Sequence, residues 1–204
     1  MADRPDPLLV LASRSPRRAE LLDQIGIAYR TCAADVDETV LPGEAPADYV
    51  LRLATAKAAA VRNMEGCALP VLGADTSVVI DGTILGKPAD KAQAFDMLRA
   101  LSGRVHQVYS AVALAATDAA APAAGGITTA LSVTDVSFRS LEDAEIDAYW
   151  YTGEPRDKAG GYGIQGCGAV FVERIAGSYT GVVGLPLYET ADLLMQQGLF
   201  RMPV

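Results

Sequence analysis

Apolar and polar positions in this chain alternate between two periods, and the changes of period mark its elements. Residues 8–12 (LLVLA) form a short, wholly apolar run, as expected of a strand buried on both faces. From residue 16 to about residue 25 the apolar positions recur every three or four residues, and Gly26 supplies a helix stop. A strand-like or irregular segment is expected over residues 29–36, then a loop through VDETVLPGEAP. A second helix is expected over residues 47–63. VLGADTSVVI then reads as a buried strand, turned back at Asp81-Gly82 into TILGKP. A third helix spans 91–101, with Ala94, Phe95, Leu98 and Leu101 on one face. Long strands follow at 105–115 and 127–138, joined by the low-complexity stretch TDAAAPAAGG, read as a hairpin tip. Ser140 with Asp143 approximates a capping box for a helix through Trp150. The glycine-rich TGEPRDKAGGYGIQGCG is a loop, AVFVERI a strand, and 189–197 a last helix. Strands that both pair by hairpins and alternate with helices point to an α/β fold with a mixed sheet flanked by helices.

The 204 residues suit one sizeable domain or two closely joined lobes, and half of them are hydrophobic, enough for a real core. The net charge of -8 argues against general nucleic-acid or membrane-surface binding, which draws on a basic excess. No apolar run is long enough for a membrane span, no signal peptide is expected, and the opening MADRPDP reads as a frayed terminus. Cys32, Cys67 and Cys167 are odd in number and lack CxxC spacing, so free thiols in a reducing cytoplasm are expected. The single histidine, His106, leaves no room for His-rich zinc sites and reads as structural or solvent-facing. Acid–base chemistry then falls to carboxylates, lysines or metal-bound water.

The candidate chemistry lies in polar residues set among apolar ones. Ser15 suits an N-cap and Pro16 a first helical position, which puts Arg17 and Arg18 in the first turn. Cations are electrostatically unfavourable there, and the helix start itself attracts anions. Two readings fit: solvated arginines on a capped surface helix, or a phosphate-bearing ligand. Lys57 falls in the apolar stripe of the second helix, with Val50, Leu53, Ala54, Ala60 and Val61. It either snorkels to an edge or meets a ligand. Asp75 interrupts a segment fit for a sheet centre and needs a cation, a metal or hydrogen bonds. A two-residue turn at Asp81-Gly82 sets Thr76 opposite Lys87, placing Lys87 beside Asp75. That pair is either a buried structural bridge or a metal- or water-handling carboxylate beside a phosphate-binding lysine. Glu38, with Asp35 and Asp37, forms a loop cluster that is either simply solvated or a source of a second oxygen ligand for magnesium. GGYGIQGCG is not a dinucleotide fingerprint, but its glycines permit close backbone approach. Gln165 within it suits the reading of a base edge, or a plain loop hydrogen bond.

Taken together, LASRSPRRAELL, Asp37-Glu38, LATAKA, LGADT, LGKP, LSGRVHQV, GEPRDKAGGYGIQG and GSYTGVVGLPL resemble the Maf family of nucleotide pyrophosphatases, in the family's order and over nearly the whole chain. The resemblance implies an elongated fold like that of inosine triphosphate pyrophosphatases, with a cleft between two lobes, and a homodimer. It implies hydrolysis of a nucleoside triphosphate to the monophosphate and pyrophosphate with Mg or Mn, Glu38 and Asp75 holding the metal. Asp75 takes the place of the family's proton acceptor. Ser13, Arg17, Arg18, Lys57 and Lys87 match phosphate-handling positions, and Arg17, Thr76 and Gln165 match positions tied to substrate selection. The form YGIQG is similar to the subfamily acting on dTTP and UTP, a nucleotide-pool house-cleaning role; the sister subfamily takes 7-methyl-GTP. Ser110 replaces the usual threonine, and the Ala-rich insert near 118–126 is this chain's own. A nucleotide-binding regulator of septum formation is the rival class, distinguished by binding without turnover.

Overall fold

The structure is a computed structural model that describes residues 6–64, 66–117 and 126–202. The frayed start and the tip at 118–125 expected from the sequence therefore lie outside the described residues, save Asp6, Pro7, Thr117 and Gly126. The elements run β1 (Leu9–Ala12), α1 (Pro16–Gln24), β2 (Tyr29–Thr31), α2 (Pro46–Arg62), β3 (Val71–Ile80), β4 (Thr83–Leu85), α3 (Lys91–Leu101), β5 (Val105–Ala115), β6 (Ile127–Phe138), α4 (Asp143–Trp150), β7 (Val172–Ala176), α5 (Tyr179–Val183) and α6 (Leu187–Gln196). Three short 3-10 turns, Glu154–Asp157, Ala159–Gly161 and Cys167–Phe171, carry the glycine-rich segment between α4 and β7.

The strands form one mixed sheet, ordered β2-β1-β3-β5-β6-β7 with β4 alongside β3. β1 is parallel to both of its neighbours, and the other pairings are antiparallel. Alternation along β1 explains the layering. Leu9 and Leu11 pack with Leu21 and Leu22 of α1 and with Leu193 and Leu194 of α6. Val10 and Ala12 pack on the opposite face, with Val50, Leu53 and Ala54 of α2. A third cluster joins Val78, Leu98, Val136, Phe138 and Tyr149 at the other end of the sheet.

Two features of this topology open a cleft. The chain leaves β1 through α1 on one face to reach β2, and β3 is reached through α2 on the other. The carboxyl end of β1 is therefore a switch point, where ligands of open α/β sheets bind. In addition, β3 outruns its neighbours on one edge. β1 pairs with Val71, Leu72 and Gly73, and β4 with Val78, Val79 and Ile80. Ala74 to Ser77 are left without a strand partner on that edge among the described residues, and Asp75 lies in the gap.

Several sequence expectations need adjustment. The segment expected to be strand-like or irregular is both: β2 covers Tyr29–Thr31 and the backbone is irregular after it. Ser15 occupies the N-cap of α1, yet its side chain makes no capping bond; the Ser13 hydroxyl instead accepts the Ser15 N–H at 3.1 Å. The capping box of α4 belongs to Glu142 and Glu145, not to Ser140 and Asp143. The last helix begins two residues earlier than expected, after the short α5. The Asp81-Gly82 turn has the expected two residues, both at positive φ, and Ile80 faces Thr83. The ladder nevertheless stops at Leu85, because the Gly86 carbonyl turns away to accept the Gly160 N–H at 3.0 Å. Lys87 is thus not paired with Thr76, whose cross-strand neighbour is Ser110 of β5.

Candidate active site

A cleft of about 1040 Å³ opens over the gap in β3, lined by residues 12–18, Glu38, Tyr49, Lys57, residues 75–78, Lys87 and the segment 154–166. Its floor is set by strand alternation. Gly73 and Asp75 share the α2 face of β3. At Gly73 the helix comes so close that a Cβ would stand 2.2 Å from the Ala54 carbonyl oxygen. One helical turn on, Lys57 reaches back to Asp75. Its Nζ donates to Asp75 Oδ1 at 2.7 Å and lies 2.6 Å from Glu38 Oε1. Side-chain exposure is 14% for Lys57, 10% for Asp75 and 48% for Glu38, so Asp75 is buried, Lys57 is partly buried and Glu38 reaches solvent. The Tyr49 hydroxyl donates to the Glu38 carbonyl at 2.9 Å and fixes that loop.

The electrostatics follow from this arrangement. Burial raises the Asp75 pKa above its ordinary value, against the opposing pull of Lys57 and Arg18. For Glu38, burial also acts upward, but hydrogen bonding and charge from Lys57, with Lys87 and Arg18 behind it, outweigh it and hold the pKa low. Tyr49 is pushed up to about 12 by burial and by the two carboxylates, so it stays a donor. The site therefore holds two carboxylates of opposite tendency bridged by one ammonium.

Thr76 points to the other face, where Arg18 organises the cleft wall. The Arg18 guanidinium donates to Ser13 Oγ at 3.1 Å, to the Gly184 carbonyl at 2.8 Å and to Thr76 Oγ1 at 3.5 Å. Thr76 Oγ1 also lies 2.8 Å from Ser110 Oγ. Burial lowers the Arg18 pKa, with Asp75 opposing. Arg17 faces across the cleft and pairs with Asp157 at 3.4 Å. Lys87 is exposed at the rim; its charge is felt at Glu38, and no bond to Asp75 occurs among the described residues. Gln165 is exposed on the opposite rim. All eight expected side chains, with Glu38, thus line one cleft. The partner expected for Asp75 is corrected from Lys87 to Lys57.

Sequence reading missed the roles of Tyr49, Asp157 and Gly184, and noted Ser110 only as a replacement for threonine. Tyr49 had a signal: it stands at positions i, i+4 and i+8 with Leu53 and Lys57 on α2. His106 is structural, as one of its two expected roles had it. It is 2% exposed, with Nε2 2.8 Å from the Tyr162 hydroxyl, and burial lowers its pKa to about 4. The cysteines are free thiols.

Among the described residues no group of three or more His, Cys, Asp and Glu could cage a metal by itself. Glu38 and Asp75 do converge on one point, occupied by the Lys57 ammonium. Two convergent carboxylates open to a cleft fit magnesium, which completes its shell with water and phosphate oxygens. No helix among the described residues is long and apolar enough to cross a membrane.

Fold and site together define an α/β protein whose cleft combines paired carboxylates with lysines and arginines, a set suited to a polyphosphate ester. Residues 8–197 match the family described as Maf-like protein, and the chain belongs to it. It is 52% identical over 192 residues to a protein of Methylobacillus flagellatus named dTTP/UTP pyrophosphatase, covering 94% of this chain and 93% of that one. It is 54% identical over 197 residues, 97% of each chain, to a protein of Anaeromyxobacter dehalogenans with the same name. Among solved structures, it is similar to a nucleoside-triphosphatase / dITP/XTP pyrophosphatase from Mycobacterium abscessus, with a TM-score of 0.46 and 18% identity over 96% of this chain and 99% of that one.

Proposed function

We propose that the chain hydrolyses nucleoside triphosphates, dTTP and UTP foremost, to the monophosphate and pyrophosphate, as a house-cleaning enzyme of the nucleotide pool. The observation that carries this reading is Asp75, a buried carboxylate in a gap of the sheet with its pKa raised, facing a cleft rich in cations. A pure binding site for an anion gains nothing from such a group. The names of the relatives support the pyrimidine nucleotides.

The chain's own groups divide the work. Oδ1 of Asp75 is engaged by Lys57, which leaves Oδ2 to orient a water and take its proton. The water oxygen bonds to the α-phosphorus as the α–β anhydride bond breaks, and the bridging oxygen leaves with pyrophosphate. Arg17, Arg18, Lys87 and the Ser13 hydroxyl stabilise the charge gathering on the leaving group, the chief need of phosphoryl transfer. Glu38 and Asp75 would hold a divalent cation, Mg or Mn, whose charge would offset that of the triphosphate. Thr76, Arg17 and Gln165 select the substrate. The same family resemblance supports a single domain, a homodimer and a cytoplasmic setting, and the acidic net charge supports a small nucleotide rather than nucleic acid as partner.

The test is pyrophosphate release from a panel of dTTP, UTP, CTP, GTP and 7-methyl-GTP with magnesium or manganese. Preferential turnover of dTTP and UTP is expected. Turnover confined to 7-methyl-GTP, or binding with no turnover, would overturn the reading.

A further inference from the structure

Gln165 sits at the middle of a hairpin-like loop, and the loop is gripped at both ends by one pair of side chains. Glu154, opening the first 3-10 turn, accepts the Cys167 N–H on Oε1 at 2.6 Å and the Gly168 N–H on Oε2 at 3.2 Å. Its Oε2 also accepts the Tyr149 hydroxyl at 2.8 Å. That hydroxyl in turn accepts the Gly163 N–H at 3.1 Å. Two side chains thus tie residue 163 to residues 167 and 168, and the segment between them carries Gln165 to the cleft rim. The fit leaves no slack. A Cβ at Gly166 would stand 2.2 Å from Glu154 Oε1, and one at Gly168 would stand 2.6 Å from the Tyr149 hydroxyl.

The clamp is itself anchored. Tyr149 is 4% exposed on α4, with its ring edge-on to Phe171 at 4.9 Å. The Glu154 N–H is accepted by Thr152 Oγ1 at 3.2 Å, and its carbonyl accepts Lys158 Nζ at 2.9 Å. Protonation states agree with these roles. Burial pushes Tyr149 up, so it keeps its proton. Burial acts upward on Glu154 as well, but the N–H and hydroxyl donors outweigh it, so the carboxylate is ionised. An ionised carboxylate with three donors makes strong, directional bonds.

We infer that Glu154 and Tyr149 are positioning residues for base selection: they hold the 163–168 loop so that Gln165 and the adjacent backbone meet a thymine or uracil edge in one geometry. This rests on the proposed role of the cleft. The physical reason is that a glutamine amide can turn by 180° and offer donor and acceptor in either order. It can then serve thymine or cytosine alike. Discrimination must come from groups that cannot turn, which are the peptide N–H and C=O groups beside it, and these stay fixed only if the loop does.

The test compares Tyr149→Phe and Glu154→Gln with wild type in the full chain, using dTTP and CTP as probes. Loss of the hydroxyl bonds should raise KM for dTTP about 10-fold with kcat within about 2-fold, and reduce the preference for dTTP over CTP about as much. Gln165→Ala should narrow the preference only in part, because the peptide groups beside it stay fixed, and Tyr149→Phe in the Gln165→Ala background should narrow it further. A merely structural role would lower activity on both nucleotides equally and leave the preference for dTTP unchanged, and full loss of that preference in Gln165→Ala, with nothing added by Tyr149→Phe, would place selection in the amide and not in the clamped loop. Either result overturns the inference. Calorimetric Kd values for dTTP and CTP read selection without turnover. A wild type that prefers dTTP in binding but releases no pyrophosphate overturns the pyrophosphatase reading while the clamp is still judged by the Kd ratio. A wild type with no preference overturns the clamp.

Discussion

Replacing Lys57 by methionine keeps the apolar stem that packs along α2 and removes the ammonium between Asp75 and Glu38. The attraction lost at 2.7 Å is about 6 kcal/mol at an effective dielectric constant near 20. Several kcal/mol of desolvation that the lysine bears is recovered at the same time. Glu38, 48% exposed, rehydrates readily; Asp75, 10% exposed, does not. A net destabilisation of about 3 kcal/mol at pH 8 is expected, the low end for an orphaned buried charge. Its pH dependence distinguishes charge from packing. The folded pKa of Asp75 is already above its ordinary value, and losing Lys57, the largest downward influence, moves it higher. The penalty is therefore full above that raised pKa and shrinks as pH falls through it toward the unfolded value, because a protonated Asp75 needs no cation. Urea midpoints with unchanged slope, taken at pH 8 and pH 5, measure this. Adding Asp75→Asn to Lys57→Met should restore most of the loss at pH 8. An equal loss at both pH values, with no rescue, would refute the assignment of the ammonium to the buried carboxylate.

Gly73→Ala should cost about 3 kcal/mol in a urea titration, since the added Cβ meets the backbone of Ala54 and Ala58, which has no free rotamer. His106, with its pKa lowered to about 4, is neutral in the fold and protonates first in the unfolded chain. Its contribution is present above about pH 6.5 and drains away as pH falls toward 4, by about 2 kcal/mol at pH 5. His106→Gln should flatten the stability difference between pH 7.5 and pH 5 by that amount. Asp157→Asn should leave the urea midpoint nearly unchanged, because its ion pairs with Arg17 at 3.4 Å and with Lys158 at 2.7 Å are both made by an Asp157 side chain that is 63% exposed. The freed Arg17 should lower KM for dTTP, which steady-state kinetics would show.

What the sequence made legible was what local pattern controls. The 105–115 and 127–138 strands, the third helix and the Asp81-Gly82 turn stand where their periods and turn residues put them. The failures come from contacts between distant segments. Lys87 was placed beside Asp75 by extending a ladder, and a carbonyl–amide bond from Gly86 to Gly160, 74 residues away by numbering, ends that ladder early. Lys57 and Asp75 were each conspicuous as polar residues among apolar ones, but only the approach of α2 over Gly73 makes them partners. Arg17 and Arg18 looked equivalent at the start of α1. One lies under Gly184 and Thr76, and the other reaches across the cleft to Asp157. Glu154 had no local mark, because its partners are backbone N–H groups of a loop whose path the glycines leave open.

The central claim is that Asp75 is the base of a triphosphate-cleaving site. The most direct measurement is pyrophosphate release from dTTP and UTP with magnesium, wild type beside Asp75→Asn, with the dTTP Kd of each from calorimetry. The account expects turnover by the wild type and a fall in kcat of about 10³-fold in the variant, with Kd changed only a few-fold. An Asp75→Asn protein that binds dTTP and releases pyrophosphate at the wild-type rate would contradict it.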